Sequence, residues 1–217
     1  MPIKASANSK GQSDPVPAGS HHAICYGVVA IGTQPSEKFA PRQKVVILWE
    51  LPQERGDFGE KKDVPRAISK TYTLSLNDRA SLRHDLENWR GKPFTAQEAG
   101  GFDIDKLIGA NCMLSVVHTT KEGRTYANVS ALMPLPKGMK PAQPETPKLY
   151  FNLLEALDQA MVNGTEVRWP DGLPEWLKNR AALAEEYQAH VNGTSNPPPA
   201  PEAPANVASE DDLSVPF

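Results

Sequence analysis

The chain has 217 residues, of which 39% are hydrophobic and 21 are proline, and its formal net charge is -3. That length holds one good-sized domain with appendages. No apolar run approaches a membrane span and the first residues lack the apolar stretch of a signal peptide, so the expectation is a cytoplasmic protein without a membrane partner.

The net charge conceals a division. Residues 1–140 carry nineteen Lys and Arg against fourteen acids, whereas residues 141–217 carry four against twelve. A basic front and an acidic rear point to a polyanion as the partner of the front.

Residues 1–20 are small, polar and Pro-containing, and read as a flexible arm. His21 to Thr33 is an apolar, β-branched run carrying Ile24, Val28, Val29 and Ile31, and it predicts a first strand. Lys44 to Leu51 is the strongest strand signal in the chain. Ala67 to Leu76 alternates and predicts a third strand, with Lys61, Lys62 and Arg66 in the loop before it. Asn77 or Asp78 offers a helix cap, and Leu82, Leu86 and Trp89 make an apolar stripe that Gly91 ends. A short turn is expected over Phe102 to Leu107, then two strands, Asn111 to Thr119 and Arg124 to Leu132, joined by a hairpin loop.

The expected fold class is therefore mainly β: a five-stranded OB-fold barrel of order β-β-β-α-β-β over residues 21–135. SH3-like barrels and other small β folds share much of that order. Five prolines between Pro134 and Pro147 mark a linker, assigned to 136–147. Beyond it, Leu149, Leu153, Leu157 and Ala160 predict one helix and Pro174 to His190 a second, together a helical extension over 148–190. This pair is too small to stand alone, so it docks on the barrel or on another subunit, which leaves a homo-oligomer open. Residues 191–217 hold six prolines and no Lys or Arg, and read as a disordered acidic tail.

Enzymatic motifs are missing: the chain has no phosphate loop, no G-x-S-x-G and no H-E-x-x-H. Neither catalysis nor a cofactor nor a metal is expected. Cys25 and Cys112 each lie in an apolar run and read as buried thiols. Adjacent strand residues point to opposite faces, so His21 and His22 hardly share a metal. Asp103 and Asp105 read as turn residues before they read as a metal dyad.

Binding residues are better represented. Single-strand binding without sequence preference needs cations along a groove and aromatic faces, each worth roughly 1–3 kcal/mol per stacked base. The last strand sets Arg124, Tyr126 and Asn128 on one face, and the third sets Lys70 beside Tyr72. Lys44, Lys61, Lys62, Arg66 and Lys121 complete the cationic candidates. Trp49 is a further stacking candidate, although it shares a face with Val45 and Ile47, where core packing competes. For Tyr72 and Tyr126 the competing role is to cap the barrel core.

The segment Ser209 to Phe217 runs from Glu210, Asp211 and Asp212 into Pro216-Phe217, an aromatic ring and an anion on a stretch too short and charged to fold alone. Such a hook suits a pocket with an apolar floor and a basic rim. It resembles the C-terminal tip of bacterial single-stranded DNA-binding proteins, with Leu213-Ser214-Val215 where that family has a single apolar residue. The stretches YTLSL (72–76), LRHDLENWRGK (82–92), GFDIDKLIG (101–109) and GRTYANV (123–129) are similar to small OB-fold DNA-binding proteins of phages and prophages.

The resemblance implies a protein of the bacterial host cytoplasm that coats single-stranded DNA during replication and recombination, without reading base sequence. It also implies that Asp211, Asp212, Pro216 and Phe217 recruit replication, recombination and repair proteins. Two rival readings are a recombination mediator or replisome adaptor whose main ligand is protein, and a metal-dependent nuclease using Asp103 and Asp105.

Overall fold

The computed structural model describes residues 14–193. Its centre is a curled antiparallel half-barrel of five strands in the order β3-β2-β1-β4-β5. The strands are β1 (Gly19–Gln34), β2 (Arg42–Phe58), β3 (Lys61–Thr73), β4 (Asn111–Lys121) and β5 (Arg124–Met133). Between β3 and β4 lie α1 (Ser81–Arg90), α2 (Ala96–Ala99) and a 3-10 turn over Ile104–Leu107. A short strand β6 (Leu149–Asn152) is followed by α3 (Leu153–Asn163), α4 (Glu175–Ala181) and α5 (Glu185–Val191). Among the described residues no helix is long and apolar enough to cross a membrane.

The sheet is buried on both faces, which explains why β1 reads as a nearly continuous apolar run. On its concave side Ala23, Cys25, Val28, Ile47 and Trp49 form a core with Leu82, Leu86 and Trp89 of α1. On its convex side Tyr26, Val29, Ile31, Val46 and Leu48 pack against Leu153, Leu157, Leu177 and Ala184 of the helices. The switch of face between Cys25 and Val28 comes from an irregularity: Cys25 pairs with Trp49 and Gly27 with Leu48, which leaves Tyr26 over. Gly27 is needed there, because a Cβ would lie 2.8 Å from Leu48 Cδ1 and 3.2 Å from Leu149 Cβ. Burial pushes the Cys25 thiol up to about 12, with the Gly27 carbonyl opposing slightly, and pushes Cys112 up as well.

The helices after residue 148 thus cover the convex face of the barrel. Their start differs from the expected helix: Leu149–Asn152 is extended and pairs in parallel with Gly27–Ala30, taking over the edge of β1 that β4 occupies at Gly19–Ile24. The side chain of Asn152 then caps α3 through the Leu154 N–H at 3.2 Å. The single helix expected from Pro174 is two, broken at Ala182–Ala184, so that Glu186 turns inward to accept the Thr33 N–H at 2.9 Å and its hydroxyl at 2.5 Å.

The Pro-rich connection is fastened to the barrel. Glu50 is fully buried in β2 and accepts the backbone N–H groups of Glu145 at 2.9 Å and Thr146 at 2.7 Å. Asn111 accepts from Ala142 N–H at 2.9 Å and donates to its carbonyl at 3.0 Å.

Helix α1 starts later than expected, with Ala80 rather than Asn77 or Asp78 at its cap and no side-chain hydrogen bond there. Gly91 ends it in the left-handed conformation, at φ 68°. The tail 194–217, and with it Asp211, Asp212, Pro216 and Phe217, lies outside the described residues, as do residues 1–13.

Candidate nucleic-acid interface

The stretch before the third strand is not a loop. β2 and β3 continue as a twisted ribbon to a turn at Gly59-Glu60, with Arg55 opposite Pro65, Gly56 opposite Val64 and Phe58 opposite Lys61. Prolines and glycines hid it, since Pro52, Gly56, Gly59 and Pro65 all read as breakers. Pro65 is tolerated because β3 is an edge strand, free to leave one side unladdered.

Charged pairs hold the ribbon's shape. Arg55 donates to Asp63 at 3.0 Å and to Glu145 at 2.7 Å, and Asp57 accepts from the Asp63 N–H and Lys62 at 3.0 Å each. The Asp63 N–H, with Lys62 second, keeps the Asp57 carboxyl below its usual range, and Arg55 does the same for Glu145.

The second basic hairpin is β4–β5. Lys121 and Arg124 face each other across the turn Glu122-Gly123, both of whose residues have positive φ (52° and 75°). Such a turn matches the twist of its strands. Farther along β5, Ser130 is an extra residue between the pairs Ser115–Ala131 and Val116–Val129. The bulge reverses the face pattern, so Val129 and Leu132 point into the core while Ala131 does not, against the expected alternation.

β3 and β5 approach each other, but no ladder joins them among the described residues. Along this seam lies a cleft of about 500 Å³ lined by Phe58, Arg66, Ile68, Tyr126, Asp14 and Val16 among others. Tyr126 is 46% exposed. The Arg66 guanidinium lies 5.7 Å from the centre of the Phe58 ring and donates to the Asp14 carbonyl oxygen. The arm expected to be loose is therefore seated from residue 14 onward. Val16 enters the barrel core, His118 Nε2 lies 2.8 Å from the Val16 carbonyl and His21 Nε2 2.8 Å from that of Pro17.

The ten sequence-derived interface candidates separate into three groups. Arg66 and Tyr126 meet at the cleft, with Lys61 and Lys62 at the tip of one adjoining hairpin and Lys121 and Arg124 at the tip of the other. Lys44 and Lys70 are engaged within the protein, Lys44 donating to Thr73 Oγ1 at 2.7 Å and Lys70 to Asp85 at 2.6 Å, and at the hairpin tip Lys62 is paired with Asp57 on the surface.

Trp49 and Tyr72 lie inside the barrel. Trp49 is fully buried, 5.9 Å from the Trp89 ring, and Tyr72 is buried with its hydroxyl 2.7 Å from Asp85. Neither offers a face to a base, because the curl of the sheet turns both strands' aromatic positions inward. Burial, and then the Asp85 carboxylate, push the Tyr72 hydroxyl far above its ordinary range.

Sequence reasoning missed Phe58 and the arm. Val16 was the available signal, a lone apolar residue between two prolines. The two histidines of the first strand have separate structural tasks: His21 Nδ1 faces Glu54 at 3.1 Å, and His22 Nε2 faces Asn111 Oδ1 at 2.8 Å. Asp103 is paired with Lys106 at 2.7 Å on the 3-10 turn, while Asp105 is exposed.

Comparison of the chain with protein-family models and with curated proteins finds no match.

Proposed function

We propose that the chain is a single-stranded DNA-binding protein without base-sequence preference, built on an OB-fold barrel. The observation that carries this reading is the convergence of Arg66, Phe58 and Tyr126 on the seam cleft, between two hairpins ending in Lys61-Lys62 and in Lys121 and Arg124. Cations spaced along a groove neutralise phosphates, and exposed aromatic faces accept any base. The strand order β3-β2-β1-β4-β5, with a helix between β3 and β4 under the barrel, is compatible with the OB topology. In this reading the acidic segment with Asp211, Asp212, Pro216 and Phe217 recruits replication, recombination and repair proteins, supported by its resemblance to the family tip.

The test is a fluorescence titration with labelled oligo-dT at two salt concentrations. Affinity is expected to fall with salt with a log–log slope of about -0.7 per phosphate neutralised. A flat salt response, or equal affinity for duplex, rules the reading out. Deleting Leu213 to Phe217 is expected to abolish capture of such partners while leaving oligo-dT affinity equal or higher.

A further inference from the structure

We propose that Asp14–Val16 forms a working wall of the seam cleft, and that the cleft flanked by this wall seats one nucleotide, its base against Tyr126 and Phe58 and its phosphate on Arg66. The proposal rests on the single-strand reading above and assigns it a subsite.

Holding an arm in one conformation costs roughly 1–2 kcal/mol per residue of backbone entropy. Here that cost is met by anchors from three strands: Arg66 of β3 on the Asp14 carbonyl, His118 of β4 on that of Val16, and His21 of β1 on that of Pro17. The Val16 side chain, 7% exposed, adds an apolar pin in the barrel core. Without the arm, the gap between β3 and β5 would be an open seam of the half-barrel. With it, the gap is an open-mouthed cleft of about 500 Å³.

The lining has the composition that a nucleotide needs. Phe58, Ile68, Val16 and the Tyr126 ring supply apolar and aromatic contact, and Arg66 supplies a planar guanidinium suited to a phosphate. Asp14 is the one acid on the lining, and it is exposed. The Arg66 guanidinium lies 5.7 Å from the centre of the Phe58 ring, so cation and aromatic surface are side by side in the cleft. Stacking on an aromatic face accepts any base, which fits binding without sequence preference.

The experiment compares the full chain with His118→Ala and Val16→Asp, each titrated with oligo-dT and with an abasic strand of equal length. The unaltered protein is expected to prefer oligo-dT by about 5- to 150-fold, the range of one stacked base. His118→Ala, a change at an exposed residue, is expected to lower that preference at least about threefold while shifting affinity for the abasic strand little. Val16→Asp, checked for folding by its melting curve, is expected to bring it close to one.

An unchanged preference in a folded Val16→Asp overturns the wall and leaves the single-strand reading standing. Equal affinity of the unaltered protein for both strands overturns the base seat. Higher oligo-dT affinity in either variant shows the arm to be an obstruction and also overturns the proposal. No binding of either strand by the unaltered protein removes both readings.

Discussion

Lys70 Nζ lies 2.6 Å from Asp85 Oδ2, and the same oxygen accepts the Tyr72 hydroxyl at 2.7 Å. A lysine that reads in sequence as a groove cation is thereby committed to a helix, joining β3 to α1 beside a buried ring. Lys70 also lies 5.2 Å from the centre of the Tyr72 ring, so the three residues form one polar cluster at the barrel's edge.

Asp85→Ala is expected to leave the Tyr72 hydroxyl without its acceptor in a buried place, at a cost of about 1–3 kcal/mol. Urea denaturation measures this directly. Unchanged stability would show that water replaces the carboxylate. Lys70→Ala should weaken oligo-dT binding less than Arg66→Ala, since Lys70 is already paired.

Trp49 and Tyr126 make the sharpest contrast. Trp49→Phe is expected to lower the melting temperature and leave oligo-dT affinity within about twofold, because the ring is enclosed. Tyr126→Ala is expected to do the reverse, with affinity falling about 5- to 150-fold and the melting curve unmoved. Melting curves and a titration on the two variants decide the matter.

Glu50→Ala removes a fully buried carboxylate that receives two N–H groups from the Pro-rich connection. Losing hydrogen bonds to a charged group costs about 1.5–3 kcal/mol, which in a chain of this size lowers Tm by about 3–12 °C. The Tyr26 hydroxyl, held up at about 12 by burial and then by the Glu50 charge, should titrate lower in the variant. Absorbance titration of the phenols checks the second point independently of the first.

Acid should weaken the fold in a defined window. Arg90, and then the Thr95 N–H, hold the Glu98 carboxyl down at about 2, from an ordinary 4.5. The Phe94 N–H and Arg83 likewise lower Glu87. Groups depressed in the folded chain contribute their stability fully above the unfolded value and lose it as pH falls through the folded one. Tm is therefore expected to be insensitive to these groups above about pH 5.5, and to decline from about 4.5 towards 2. The decline should be modest and salt-dependent, because these groups are only partly buried. Glu98→Gln should remove part of it, and a variant with the full decline would place the acid-labile group elsewhere.

Local signals in the sequence carried much of the half-barrel. The β-branched run at His21–Thr33 spans most of β1 and Lys44–Leu51 the first half of β2, Gly91 stops α1, and Glu122-Gly123 turns the β4–β5 hairpin. Each of these is set by neighbours within a few residues. The register of faces is not: single extra residues at Tyr26 and Ser130 shift which side chains point inward, and no periodicity shows a bulge in advance.

Leu149, Leu153 and Leu157 illustrate the same limit, since one spacing fits a helix throughout or a strand followed by a helix. The free edge of β1 at Gly27–Ala30 selects the second.

By itself the sequence determined the strand types, the basic front and acidic rear, and the cations and aromatics available for a groove, because these follow from residue chemistry and short-range pattern. Only the tertiary structure decided which of them remain available. Burial against α1 withdraws Trp49 and Tyr72, ion pairing withdraws Lys70, and the unladdered seam between β3 and β5 brings Arg66, Phe58, Tyr126 and the arm at Val16 together. Contacts between residues fifty to a hundred positions apart follow from how the sheet curls, a property of the whole packed barrel that no local stretch of chain contains.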